Sequence, residues 1–132
     1  MKNEKQKILV IDDEKANCLL MAQILKNDYT VYVSTNSSEA LEVIKRNTPD
    51  VILLDIIMPE LDGYEVLKIL KANPATEKIP VIFITGLNNE EDYIKGLELG
   101  ADDFIGKPFS PTIVKLRLKK TLQTNIVQGG SK

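Results

Sequence analysis

Three aspartates close short apolar runs, and no other acids in the chain are so placed to do chemistry. Asp12 and Asp13 follow Ile8–Ile11, and Asp55 follows Val51–Leu54. If the two runs are neighbouring parallel strands, about 4.8 Å apart, the three carboxylates converge on one pocket. Anions that close repel, and each raises the pKa of the others unless a cation sits among them. Oxygen ligands alone, without His or Cys, point to a hard ion: Mg²⁺ most simply, with Mn²⁺ as a substitute. The plain alternative is that acids at strand ends cap the helices that follow. It suits any single acid, Asp12 or Asp13 best, but not three at aligned strand ends. Asp55 fits it least, because it stands between Leu54 and Ile56, where burying a charge is costly without compensation.

Complementary groups end two further runs. Thr85–Gly86 follows Val81–Ile84, and Lys107–Pro108 follows Phe104–Ile105. A lysine at the mouth of an acidic pocket neutralises charge, and a hydroxyl can hydrogen-bond an incoming oxyanion. Alone, Thr85 is an ordinary strand residue and Lys107 an ordinary surface residue. Together with the acids they suit phosphoryl transfer: carboxylate nucleophile, divalent metal, cationic clamp and hydroxyl donor.

Positioning these groups requires a sheet with all its functional ends on one edge. Short apolar runs at Lys7–Ile11, Thr30–Ser34, Val51–Leu54 and Pro80–Ile84, with a weaker one at Asp103–Gly106, read as strands. Helical stretches alternate with them: Glu14–Lys26, Ser37–Arg46, Gly63–Ala72, Asn89–Leu99 and Pro111–Gln123. Their ends carry capping chemistry. Asp62 with Glu65 forms a capping box, and Asn36 with Glu39 and Asn88 with Glu91 repeat the spacing. Ser110–Pro111 reads as N-cap and first helical residue. Gly100 stops the fourth helix, and Asn73–Pro74 stops the third. Such alternation implies parallel strands with right-handed crossovers, an α/β three-layer doubly wound domain. In that architecture ligands bind beyond the carboxyl ends of the strands, where the acids, threonine and lysine fall.

Composition agrees with this and removes other chemistries. A chain of 132 residues suits one domain, and 43% hydrophobic with 27% charged residues is ordinary for a globular protein. The ordered domain is expected over residues 1–123, with 124–132 a linker or frayed tail. A net charge of −2 announces no face for nucleic acid. No apolar run is long enough to span a bilayer and no leader pattern opens the chain. Cys18 has no partner for an internal disulfide, which fits a reducing cytoplasm. The absence of histidine excludes Ser-His triads and His–metal sites.

These motifs, in this order and spacing, resemble a response-regulator receiver domain of two-component signalling, of the chemotaxis-receiver type. The resemblance runs from about Gln6 to Leu122. It rests on Ile11–Asp12–Asp13, Leu54–Asp55–Ile56–Ile57–Met58–Pro59–Glu60–Leu61–Asp62–Gly63, Thr85–Gly86, and Gly100 through Phe109. It implies a flavodoxin-like sheet with strand order 2-1-3-4-5. It implies that Asp55 accepts a phosphoryl group and that Asp12, Asp13, Asp55 and the main-chain carbonyl of Ile57 hold Mg²⁺. Thr85, Gly86 and Lys107 would contact the phosphoryl group. Thr85 and Phe104 would form the switch, and the peptide bond to Pro108 would be cis. The implied donor is a histidine kinase, a phosphotransfer protein or a small molecule. The implied recipient of the signal is an output domain, an effector or a second copy of the chain, met through the fourth helix, fifth strand and fifth helix.

Departures from the commonest pattern are specific. The switch aromatic is Phe104, which has no phenolic hydroxyl, so packing alone distinguishes its positions. Ile57 and Leu87, two residues beyond Asp55 and Thr85, are apolar where many receivers are polar, and they could limit attacking water. Gly86 leaves the approach open to a donor. Phe109–Leu118 is similar to receivers that precede cyclic-dinucleotide enzymes, although an ordinary capped amphipathic helix explains it better. Two other classes fare worse. An aspartyl-nucleophile phosphatase wants a general acid where Ile57 stands. A flavin mononucleotide carrier wants a phosphate loop where Asp12–Asp13–Glu14 would repel phosphate.

Overall fold

Val51–Leu54 and Val81–Ile84 are unbroken runs of Val, Ile, Leu and Phe, and both lie in the middle of the sheet, covered on both faces. The computed structural model describes residues 4–86 and 89–130, those from 124 onward by backbone alone. Among them five strands, β1 (Lys7–Ile11), β2 (Thr30–Ser34), β3 (Val51–Asp55), β4 (Val81–Thr85) and β5 (Asp103–Gly106), alternate with five helices. These are α1 (Lys15–Leu25), α2 (Ser37–Asn47), α3 (Gly63–Lys71), α4 (Glu90–Leu99) and α5 (Pro111–Gly130). All pairings are parallel and the order is β2-β1-β3-β4-β5, as the alternation and the resemblance imply.

The strand period of two divides the core. Leu9, Ile11, Ile52, Leu54 and Phe83 face one layer, packed on Ala40 and Ile44 of α2 and Val66, Leu67 and Leu70 of α3. Ile8, Val10, Leu53, Ile82 and Ile84 face the other, packed on Cys18, Met21 and Leu25 of α1 and Val114, Leu118 and Leu122 of α5. At the amino edge two aspartates stitch strand starts together. Asp50 Oδ2 accepts from Lys7 N–H at 2.7 Å, and Asp102 Oδ2 accepts from Val81 N–H at 2.9 Å. The Asp50 and Asp102 amides reciprocate, donating to the carbonyls of Lys7 and Val81 at 2.8 Å each.

Local signals fix most helix ends. The Asp62–Glu65 capping box forms with 2.9 Å bonds in both directions. Asn36 accepts from Glu39 N–H and Ser110 Oγ from Ile113 N–H. Gly100 ends α4 in the left-handed region at φ 110°. Two ends differ from expectation. The cap of α4 is Asn89, which accepts from Asp92 N–H at 2.9 Å; Asn88 lies outside the described residues. Asn88–Glu91 and Asn89–Asp92 offer the same capping chemistry. A tertiary contact accompanies the second, since Tyr64 Oη donates to the Asp92 carbonyl at 3.2 Å. The second difference is α5, whose backbone runs past Gln123 to Gly130; Thr124–Gln128 contains neither proline nor glycine to interrupt it. The backbone is thus helical to Gly130, and residues 131 and 132 lie outside the description.

Thr48 ends α2 at φ 43°, a left-handed conformation that a β-branched side chain resists. Thr48→Asn should raise unfolding stability by about 0.5–1 kcal/mol, read from urea melts of both proteins. An unchanged midpoint would mean that Thr48 is unstrained.

Candidate functional site

Because β1 and β3 are neighbours with Ile11 opposite Leu54, their next residues, Asp12 and Asp55, emerge side by side. One carboxylate oxygen from each of Asp12, Asp13 and Asp55 can be chosen so that all lie within 4.8 Å of one another. Asp12 and Asp55 are buried, and Asp13 is exposed. Neither Asp12 nor Asp13 caps α1, whose N-cap is Glu14 without a side-chain bond. Asp12 instead turns its Oδ1 back to accept from Glu14 N–H at 2.9 Å.

Lys107 arrives from the other side. Thr85 is opposite Gly106 in the β4–β5 register, and the next amide, that of Lys107, donates to the Thr85 carbonyl at 2.9 Å. The Lys107–Pro108 peptide bond is cis. Lys107 Nζ lies 3.4 Å from Asp55 Oδ1, to which it donates, and 3.4 Å from Asp12 Oδ2. The second contact is an ion pair without hydrogen-bond alignment, so Asp12 Oδ2 is fully buried yet has no hydrogen-bond partner.

Above these groups is an open cavity of about 360 Å³ whose walls include Asp13, Asp55, Ile57, Thr85, Gly86 and Lys107. Every residue expected in the site except Asp12, Phe104 and Pro108 is in its lining. Ile57 is 64% exposed at the rim. A methyl group added at Gly86 would meet nothing within 4 Å. Leu87 lies outside the described residues. Phe104 stands at a second cavity of about 320 Å³, and Thr85 lines both.

Three supporting residues were not singled out from sequence. Gly63 was read only as a helix start, but a Cβ there would lie 2.5 Å from the Asp55 carbonyl oxygen. The amino end of α3 therefore presses directly on the backbone of Asp55, and Gly63 N–H donates to the Ile56 carbonyl at 2.7 Å. The pair Asp62–Gly63 was the available signal. Cys18 Sγ lies beneath the site and donates to the Asp12 carbonyl at 3.3 Å. It is fully buried, and burial, then the Asp12 charge, push its thiol up to about 11. No sequence pattern placed it there. Glu14 adds a further acid to the rim of the cavity.

The electrostatics are those of crowded anions. Burial, then the Asp12 charge, raise Asp55 to about 6, although Lys107 pulls it down. Burial alone would lower Lys107, but Asp55 and Asp12 outweigh it and hold the ammonium above its usual value. One lysine leaves the acids under-compensated. The buried Asp12 oxygen that has an ion pair but no hydrogen bond, and the all-oxygen donor set, fit a hard divalent cation. The cavity thus joins a metal-competent acid cluster to an ammonium and a hydroxyl residue, groups suited to an oxyanion.

Comparison with known proteins gives one answer. The family model described as the response regulator receiver domain matches residues 8–119. A probable cyclic di-GMP phosphodiesterase of Vibrio cholerae is 45% identical over 88% of this chain, which spans 26% of that protein. The response regulator PleD of Caulobacter vibrioides is 40% identical over 92% of the chain, 27% of its own length. The chain thus spans about a quarter of these two relatives. The crystal structure of a putative response regulator from Chloroflexus aurantiacus superposes with a TM-score of 0.86 at 30% identity, covering 91% of this chain and 99% of that one. The chain belongs to the response-regulator receiver domains of two-component signalling.

Proposed function

We propose that this receiver is a cytoplasmic, phosphorylation-controlled switch whose acceptor is Asp55. The observation that carries the reading is the ammonium of Lys107 held 3.4 Å from both Asp55 and Asp12 at the mouth of an open cavity. In the reaction an Asp55 carboxylate oxygen attacks phosphorus. The new O–P bond forms as the donor's bond to phosphorus breaks, and the electron pair leaves with the donor. The donor is a histidine kinase, a phosphotransfer protein or a small acyl phosphate. Lys107 meets the transferring oxygens, with Thr85 and Gly86 beside them. Asp12, Asp13, Asp55 and the Ile57 carbonyl would hold Mg²⁺ or Mn²⁺, which supplies charge neutralisation for the phosphoryl oxygens. Asp55 must be ionised to attack, and both Lys107 and a bound cation favour that form.

The phosphoryl group adds charge and acceptors at the strand ends. Thr85 can reach one acceptor only by moving, and Phe104 follows into the cavity they share. That reshapes the face made by α4, β5 and α5. Exposed Tyr93, Ile94 and Leu97 on α4 stand near Glu90, Glu91 and Glu98, whereas exposed Ile113 and Leu116 on α5 stand among Lys115, Lys119 and Lys120. An output domain, an effector or a second copy of the chain is the partner this face suits. The cyclic di-GMP phosphodiesterase relative makes a cyclic-dinucleotide enzyme one candidate output.

Acetyl phosphate with Mg²⁺ should add one phosphoryl group to the intact mass, and Asp55→Asn should abolish the gain. Lys107→Ala should slow labelling on the order of 100-fold. Labelling that survives Asp55→Asn would falsify the acceptor assignment.

Asp13→Ala should weaken Mg²⁺ binding by about tenfold or more, measured by titration calorimetry. Parent-like affinity would remove Asp13 from the ligand set.

Stability should report the crowding as well. The folded value of Asp55, about 6, lies above its ordinary 3.8, so the folded protein binds the proton more tightly. Its contribution is present below pH 4 and is lost as pH rises from about 4 to 6. In chelator at pH 7.5, Asp55→Asn should therefore stabilise the fold by about 2–3 kcal/mol. At pH 4 it should give almost nothing. Denaturant melts at both pH values decide it, and an equal gain at both would show that charge is not the cause.

A further inference from the structure

The one buried residue of α4 is a glycine. Glycine inside a helix is a cost that alanine would remove, so its presence at Gly96 calls for a packing reason. A Cβ there would lie 2.6 Å from Phe104 Cζ and 3.0 Å from Phe83 Cε2. Three residues earlier, on the same face of the helix, Tyr93 lays its ring on Phe104 with centroids 4.6 Å apart. Phe83, opposite Phe104 in the β4–β5 register, closes the group at 5.6 Å. Phe104 is thus parked against α4 in a berth made by Tyr93, Gly96 and Phe83.

The two phenylalanines are not equally able to move. Phe83 is fully buried, packed with Tyr64 in the core. Phe104 is half-buried and borders the 320 Å³ cavity that Thr85 also lines. If the berth were filled, the ring with room to leave is that of Phe104.

We propose that Gly96 sets the resting position of the switch: the absent Cβ is the space that holds Phe104 on α4 and away from Thr85. The inference rests on the reading of Thr85 and Phe104 as the switch pair. A side chain at Gly96 meets Phe83 in both states but Phe104 only in the parked one, so it raises the free energy of the parked state more than that of the cavity-filling state. The equilibrium then moves toward the second state, and a phosphoryl mimic that needs it binds more tightly. Gly96 is a positioning residue. It touches neither the acids nor an incoming phosphoryl group.

The test titrates beryllofluoride with Mg²⁺ into the full chain, following amide shifts by NMR. The parent, Gly96→Ala, Phe104→Ala and the double variant are compared. Gly96→Ala should tighten beryllofluoride binding at least roughly fivefold, the lower end of ordinary coupling between sites. Its ring-to-ring contacts between Phe104 and Tyr93 should also be lost before any ligand is added. In the Phe104→Ala background the same substitution should have no effect on affinity. Equal or weaker binding in Gly96→Ala overturns the inference. So does tightening that persists without the Phe104 ring, because that effect would come from α4 helicity alone. If Gly96→Ala does not fold, Tyr93→Ala opens the opposite wall of the berth and should tighten binding in the same way; unchanged binding there overturns the inference. A parent that binds no beryllofluoride refutes the phosphorylation reading itself, and this inference falls with it.

Discussion

Two carboxylates that the sheet forces together, those of Asp12 and Asp55, share one ammonium group. The pairing of β1 with β3 makes their approach unavoidable, and the pairing of β4 with β5 brings Lys107 to meet them. Buried charges of one sign are tolerated only with compensation. One lysine supplies part of it and leaves Asp12 Oδ2 without a hydrogen bond. The remaining demand is of the kind a divalent cation could meet. The rest of the fold keeps this incompletely compensated arrangement in place. Gly63 lets α3 press on the Asp55 backbone, and Cys18 supports the Asp12 carbonyl from below.

Thr85 is the residue through which that site can reach the rest of the molecule. It ends β4, lines the acidic cavity and lines the cavity beside Phe104. The second cavity is bounded by α4, the helix least committed to the core, whose buried residue is Gly96 alone. Elements with few buried apolar side chains are the ones a local change can move. Phe104 of β5 packs on this weakly anchored helix, with its ring against Tyr93 and Gly96.

Much of this was legible in the residues. The central strands are runs of Val, Ile and Leu because both faces are covered. Asp55 was conspicuous because it interrupts such a run. Capping residues marked the ends of α2, α3 and α5, since their chemistry is local. The start of α4 was legible only to within a residue, because Asn88 and Asn89 each have an acid three residues on; the observed cap is Asn89. Gly96 reads in sequence as a weak point in a helix. Its meaning appears only when two aromatic rings from β4 and β5 lie against it. Cys18 was read for its redox state, and its place under Asp12 depends on how α1 crosses the sheet.

The aspartates at the two edges of the sheet look alike in sequence but differ in what their oxygens are doing. Asp50 and Asp102 have each given an oxygen to a backbone amide of the neighbouring strand. Those bonds draw on the charge locally. At the opposite edge Asp12 gives Oδ1 to the nearby Glu14 amide, while its Oδ2 and an oxygen of Asp55 face the one ammonium of Lys107. A chain with a net charge of only −2 thus gathers the carboxylates of Asp12, Asp13 and Asp55 at one rim.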